Sequence, residues 1–390
     1  MKKGREKMFD SVIIGAGVAG CVAARELAEA GKKVLVLEQR DHIGGNCYDE
    51  KDEHGILIHK YGPHIFHTKA QRAYDYLSRF TEWYAFGHEV VANVHGRLIP
   101  VPFNLNTLHM VYEKEEADVL EKKLVDAFGM ETRVPILKLR EHEDPQIRQI
   151  ADYVYENIFL HYTMKQWGQT PEEIDPAVTG RVPVLISYDN RYFQEPYQGM
   201  PLKGYTPMFE AMLDHPGITV ETGVDARSRL DFRGKQVFFD EEAFTGEVIY
   251  TGPLDELFDC RFGRLPYRSL NFEFEYLNQE DYQGHSVVNY TVSEAFTRIT
   301  EFKYLTGQKA PGTTIVREYP FAYTGAEGEI PYYSIASEEN QKLYEKYQAL
   351  LAGIPNVYLL GRLAEYKYYN MDAMVLRALK LTDRIQGHCS

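Results

Sequence analysis

The chain has 390 residues, enough for two or three domains at roughly 150 residues each. Its formal net charge of -14 excludes a general nucleic-acid binder, whose affinity rests on a basic surface, and electrostatic docking on anionic lipid. No apolar run reaches the ~18 residues that a bilayer crossing needs, and residues 1–9 lack the apolar core of a signal peptide. Cys21, Cys47, Cys260 and Cys389 form no CxxC pair, which argues against a zinc site or a disulfide framework and for a cytoplasmic setting.

In chain order, the apolar run Val12-Ile13-Ile14 enters Gly15-Ala16-Gly17-Val18-Ala19-Gly20. Val22, Ala23, Leu27 and Ala30 then suit a helix, Gly31 ends it, and Val34 to Glu38 reads as the next strand, which together make a βαβ unit. Further along, Leu120, Leu124 and Phe128 recur every four residues, and Ile147, Ile150, Val154 and Ile158 line one helical face, so 105–170 reads as helical. The segments 89–100, 182–187, 269–276, 285–291 and 313–319 are β-branched or aromatic and bounded by Gly, Pro or Asn, and predict a mostly antiparallel sheet. A last strand over 356–360 and a closing helix over 371–385 complete the chain.

Gly15, Gly17 and Gly20 have the GxGxxG spacing, between a strand and a helix, with an acid, Glu38, at the end of the following strand. The three glycines serve a tight turn, close approach of a pyrophosphate and close helix–strand packing, and the acid serves the ribose hydroxyls. The helix N-terminus adds unpaired N–H groups for the anion. A second glycine pair, Gly44-Gly45, follows in Arg40 to Asn46 and favours FAD over NAD.

Eleven further stretches sharpen this reading: DHIGGNCY (41–48), HKYGPHIFHT (59–68), PFNLNT (102–107), YTMKQWG (162–168), RVPV (181–184), DNRYF (189–193), YQGMP (197–201), YTGP (250–253), YRSL (267–270), REYP (317–320) and GRLAEYKYY (361–369). In kind and order they resemble the motifs of the bacterial UDP-galactopyranose mutases, and the resemblance spans nearly the whole chain. It implies a Rossmann-like FAD-binding α/β domain (1–80, 199–258 and 340–390), a helical domain with a mobile substrate loop (105–170) and a six-stranded antiparallel sheet domain (81–104, 171–198 and 259–339). It also implies a homodimer, with no nucleic-acid partner and no membrane insertion, interconverting UDP-galactopyranose and UDP-galactofuranose for cell-surface polysaccharide synthesis. In that family FAD works in its reduced form, with NAD(P)H as an external reductant. N5 of the flavin attacks the anomeric carbon as UDP leaves.

The resemblance assigns residues to these tasks. Arg181 and Arg298 hold the diphosphate, where a planar, permanently charged guanidinium is the suitable group, and His64 tunes the flavin. Tyr192, Tyr319 and Tyr368 donate hydroxyls to phosphate, Phe159 and Tyr162 receive uracil, and Trp167 sits on a flap that closes on substrate. Asn370 and His88 complete the substrate set. Beyond the glycines and Glu38, the cofactor set is Val18, Ala19, Gln39, Arg40, Gly45, Asn46, His64, Ile65, Gly361, Arg362, Asn370 and Met371. Asn370 stands where many relatives carry Asp, and Leu185 where some carry a second arginine. His59, His64 and His67 lack a nearby carboxylate in the sequence and are not expected to bind metal. The competing readings are an amine-oxidase-type flavin oxidoreductase and a non-catalytic nucleotide-sugar binder.

Overall fold

The computed structural model describes residues 9–168 and 183–387. Its first unit is a five-stranded parallel sheet in the order Ile218–Glu221, Val34–Leu37, Ser11–Ile14, Glu247–Tyr250 and Val357–Leu359. Both faces of this sheet are covered, which is why its strands read as unbroken apolar runs. Ile13, Val34 and Val36 point into a core shared with the helices Val18–Glu29, Tyr205–Leu213 and Met371–Ile385. Val12, Ile14, Leu35 and Leu37 point the other way, against Tyr344 and Tyr347 of the helix Glu338–Leu350 and a small three-stranded meander beginning at Leu230–Arg233.

The glycine turn fixes how closely the first helix meets its strand. A Cβ on Gly20 would lie 1.9 Å from the Gly15 carbonyl oxygen and 3.3 Å from Ile13 Cγ2, while Gly15 itself has φ +101°. A side chain at Gly20 would push the helix off the strand that it follows, and one at Gly15 would be strained in its backbone and strike Thr251 Oγ1 at 2.0 Å.

The second unit is a mixed sheet in the order Tyr333–Ser334, Tyr267–Leu277, Thr313–Ala322, Arg298–Glu301, Val287–Tyr290, Val90–Val94 and Arg97–Val101. It corrects the expectation of six antiparallel strands. Among the described residues there are seven, the one at the Tyr333 edge only two residues long, and Val287–Tyr290 runs parallel to Val90–Val94. The parallel pair arises because these two strands come from distant chain segments and are not joined by a hairpin.

The third unit is helical. Lys114–Phe128 buries Leu120 and Leu124, and Pro145–Val154 buries Ile147, Ile150 and Val154, each on its apolar face. Asp144 caps the latter by accepting from Gln146 N, with proline at the first helical position. The strand expected over 182–187 forms as Pro183–Ile186, but it pairs with Thr132–Pro135 instead of joining the large sheet, and packs Val184 and Ile186 into the core that the helices share with that sheet. Its apolar side chains identify a buried strand; they carry no information about which partner it finds. Among the described residues, no helix is long and apolar enough to cross a membrane.

We expect Gly20→Ala to destabilise the chain by about 2 kcal/mol, as overpacking at a helix–strand contact does, read as a lowered urea midpoint at unchanged slope. An unchanged midpoint would show that the contact can relax.

Candidate active site

The three units meet around a cavity of ≈ 1550 Å³. One end is floored by the glycine turn. Gly17 and Gly45 approach so closely here that a Cβ on Gly45 would sit 2.9 Å from Gly17 Cα, leaving bare backbone along the groove. The helix Val18–Glu29 begins there with no side-chain cap on its N-terminal amides, which leaves them available to an anion. Glu38 accepts from Ala16 N at 2.7 Å through one oxygen and from Arg40 N at 2.9 Å through the other. Each oxygen keeps a lone pair for a ribose hydroxyl. Arg40 stacks 4.3 Å over the Tyr61 ring and donates Nη2 to Asn46, while its buried Nη1 has no partner. A buried guanidinium nitrogen left over beside free helix amides fits a bound dinucleotide such as FAD. All residues predicted for the cofactor line this cavity except Gly20, which is spent on the helix–strand contact.

The middle of the cavity is built on the large sheet. Asn289, Arg298 and Glu318 lie side by side on three neighbouring strands, in register. Glu318 is 1% exposed, and its Oε1 accepts from Arg298 Nε at 2.6 Å. Among the described residues, that carboxylate is the only acceptor the Arg298 side chain bonds. Burial works against the guanidinium charge, but Glu318 outweighs it, and the arginine stays firmly charged. A cation is thus held in place inside a chain of strongly negative net charge.

Aromatic rings close round Arg298. Tyr333 packs 5.5 Å from Trp167 and 6.1 Å from Tyr368, whose ring also lies under the Arg362 guanidinium. Burial raises the Tyr333 hydroxyl to about 12 against a lowering pull from Arg298, so it stays a protonated donor. Tyr319 does not reach the cavity. Its neighbour Glu318 faces Arg298, and one step along a strand turns a side chain to the opposite face, where Tyr319 packs on Phe296 5.8 Å away. Tyr333, Glu318 and Asn289 were missed in the sequence. The last two could have been found by alternation along their strands once the registers were known.

The aromatic end comes from one interrupted helix. Between Pro145–Val154 and His161–Trp167 the chain takes a π-helical turn, Tyr155–Leu160. Such a turn widens the helix and shifts the faces of the residues that follow it. Phe159, 2% exposed, and Tyr162, Thr163 and Gln166 line the cavity as a result. The helix end is tied down by Arg268, which donates to Gln166 O and Lys165 O at 3.0 Å each, and by Lys165 Nζ on Glu294 O at 2.9 Å. Trp167 is anchored at least as far as Gly168. Arg181 and the segment 169–171 of the expected flap lie outside the described residues.

Histidines line the remaining wall. His64 Nδ1 lies 2.9 Å from Gly62 O, and its backbone N–H donates to His59 Nδ1 at 3.1 Å. A carbonyl only accepts, so His64 carries its proton on Nδ1. Burial, with contributions from His59, Arg362 and Arg298, pulls His64 down to about 3. His88, 4% exposed, is likewise pulled to about 3 by burial and Arg298, and His59 to about 4 by burial. Both His64 and His88 line the cavity, as do Tyr192, Tyr368 and Asn370.

A model of the UDP-galactopyranose mutase family matches residues 157–368, more than half of the chain. The chain belongs to the UDP-galactopyranose mutase family. A second model, the NAD(P)-binding Rossmann-like domain, matches residues 13–80, the segment that carries the glycine turn of this mutase fold. The "Probable UDP-galactopyranose mutase" of Klebsiella pneumoniae is 37% identical over 377 residues, covering 95% of this chain and 93% of that protein. A dTDP-fucopyranose mutase of Escherichia coli is 34% identical over 373 residues, covering 95% and 96%. The crystal structure of a reduced UDP-galactopyranose mutase superposes with a TM-score of 0.72 over 98% of this chain and 96% of that one; at 18% identity this likeness concerns the fold.

Two predictions follow from the wall geometry. Tyr333→Phe should lower kcat/KM by about tenfold, the usual cost of a donor to a charged oxygen, whereas Tyr319→Phe should leave it within about twofold; steady-state kinetics compare them, and the reverse order would restore Tyr319 to the site. The histidines set an acid dependence. Their folded values are depressed below the ordinary 6.5, so the unfolded chain binds more protons in between. Their stabilisation is complete above about pH 6.5 and is lost as pH falls towards the folded values. Urea midpoints should therefore decline between about pH 7 and about pH 4, and His88→Asn should flatten that decline.

Proposed function

We propose that the chain is an isomerase interconverting UDP-galactopyranose and UDP-galactofuranose with reduced FAD, in the synthesis of galactofuranose-containing cell-surface polysaccharide. The observation that carries this reading is a single cavity with a dinucleotide cradle at one end and a carboxylate-braced arginine in its middle. The cradle residues Gly15, Gly17, Glu38 and Arg40 would hold the cofactor. When bound and reduced, FAD supplies a nucleophile, N5, to the anomeric carbon of the sugar. All else falls to the side chains.

The leaving UDP develops charge on its diphosphate. Arg298 receives it, and because Glu318 fixes the guanidinium beforehand, little reorganisation is needed as that charge appears. Arg181 is the second cation of this reading. Tyr333 and Tyr368 supply neutral donors alongside, and Tyr192 a third. Phe159 and Tyr162 form the base pocket, and Trp167 seals the nucleotide from water. His64, neutral and protonated on Nδ1, can offer its other ring nitrogen as an acceptor near the cofactor. Asn370 in place of the usual Asp lowers negative charge at the cofactor end. The division into FAD-binding, helical and sheet domains, the homodimer and the cytoplasmic setting belong to the same reading, on the strength of the family motifs.

The relative that is a dTDP-fucopyranose mutase names the competing substrate. Reduced enzyme should convert UDP-galactofuranose to UDP-galactopyranose, resolved by chromatography, faster than it interconverts the dTDP-fucose isomers; the opposite preference would reassign the substrate. Arg298→Ala should cost at least about 100-fold in turnover, the scale seen when a fixed donor to developing charge is removed, with the yellow cofactor retained. Loss of flavin absorbance instead would mean that Arg298 is structural.

A further inference from the structure

His67 and Glu195 on the cavity wall have no task in the account above, and His88, which the family resemblance places with the substrate, lies next to them. His67 and Glu195 face each other with Nδ1 and Oε2 3.7 Å apart, and both atoms are buried with no hydrogen-bond partner. The neighbouring His88 Nδ1 is buried and unpartnered too. The group is firmly built. His67 lies flat on the Phe193 ring, centroids 3.5 Å apart at 9°, and His88 is 5.8 Å from the same ring. Gln198, paired with His67 across two antiparallel strands, donates its amide to Phe193 O and Glu195 O at 2.9 and 2.8 Å and so holds the turn that carries the acid.

The charge states follow. Contact with His67 is the largest cause that holds Glu195 at about 2, so its carboxylate is ionised at neutral pH. A ring nitrogen presenting a lone pair to that carboxylate would be repelled, whereas one presenting N–H is attracted. In the neutral form of the ring that N–H is Nδ1–H, which leaves Nε2 as a bare acceptor on a side chain that lines the cavity.

We propose that Glu195 is a positioning residue that fixes the tautomer of His67, so that His67 Nε2, beside His88, accepts a hydrogen bond from one hydroxyl of the substrate sugar and makes that hydroxyl a requirement for recognition. This rests on the nucleotide-sugar reading above. A site shaped to bond a hydroxyl rejects an analogue that lacks it far more strongly than an apolar pocket rejects an extra group, because its own polar atoms are left unpaired.

The test pairs variants with analogues. Dissociation constants are measured by competition for UDP, UDP-galactose and its 2-, 3-, 4- and 6-deoxy forms on the FAD-bound enzyme and on Glu195→Ala, Glu195→Gln and His67→Gln. For one deoxy analogue, the wild type should bind at least about tenfold more weakly than it binds UDP-galactose. Glu195→Ala should lose a similar factor for UDP-galactose yet be indifferent to that same deoxygenation, the non-additivity expected of two groups in one interaction. UDP itself should bind within about twofold throughout. In 15N spectra of histidine-labelled protein, the His67 signals, identified by their loss in His67→Gln, should report Nδ1–H in the wild type and change in Glu195→Ala. Additive losses for all four analogues, or an unchanged tautomer, would overturn the proposal and leave the mutase reading intact. A wild type that binds UDP-galactose no better than UDP and does not isomerise it would overturn both.

Discussion

The site depends on a cation that cannot move away. Arg298 and Glu318 are opposite one another on adjacent antiparallel strands, so their separation is set by the hydrogen-bond ladder and not by side-chain chance. An arginine on a loop would share its charge with whatever acid came near, and this chain offers many. Burying the acid almost completely makes it a dedicated partner, bonded at Nε from the side. The cost of burying a carboxylate is offset only because the pair is well formed, and the result is a fixed positive charge, which the proposed function gives to the diphosphate.

Around that pair, each unit supplies something the others cannot. The parallel sheet places the glycine turn and Glu38 at the carboxyl ends of its strands, where an open α/β sheet leaves a crevice. The large sheet contributes the cation and its brace. The helical unit contributes flat apolar rings through a π turn that points Phe159 and Tyr162 into the same space. None of the three encloses a nucleotide sugar by itself, and the cavity exists because the chain passes back and forth between them.

The membership of a dTDP-fucopyranose mutase among the relatives shows that a fold of this kind is not bound to one sugar. Differences between such substrates lie in the base, at the ribose 2′ position and at the sugar's C6 hydroxyl, while the diphosphate is shared. In the proposed reading, discrimination falls to walls away from Arg298: the pocket of Phe159 and Tyr162, and the His67, His88 and Glu195 group. Rigid placement of that second group by Phe193 and Gln198 is what a selective wall requires, since a pliable one would adapt to a missing hydroxyl.

The sequence by itself determined whatever is local. The βαβ unit follows from an apolar run, glycines at fixed spacing and an acid after the next run, because each of those features acts within a few residues of backbone. The apolar stripes of Lys114–Phe128 and Pro145–Val154, and the closing helix Met371–Ile385, were legible for the same reason. The motifs also pointed to the cofactor cradle and to Arg298. Tertiary structure alone decided what depends on strand partners. Tyr319 was expected at the phosphates and lies on the far face of its strand, while Tyr333, from a two-residue edge strand with almost no pattern of its own, takes a place beside Trp167 and Tyr368. Glu318 and Asn289 became visible only through register, and Pro183–Ile186 found its partner in the helical unit. Side-chain direction in a strand reverses at every residue, so a sequence names the candidates, but only the packed sheet says which of two neighbours faces the cavity.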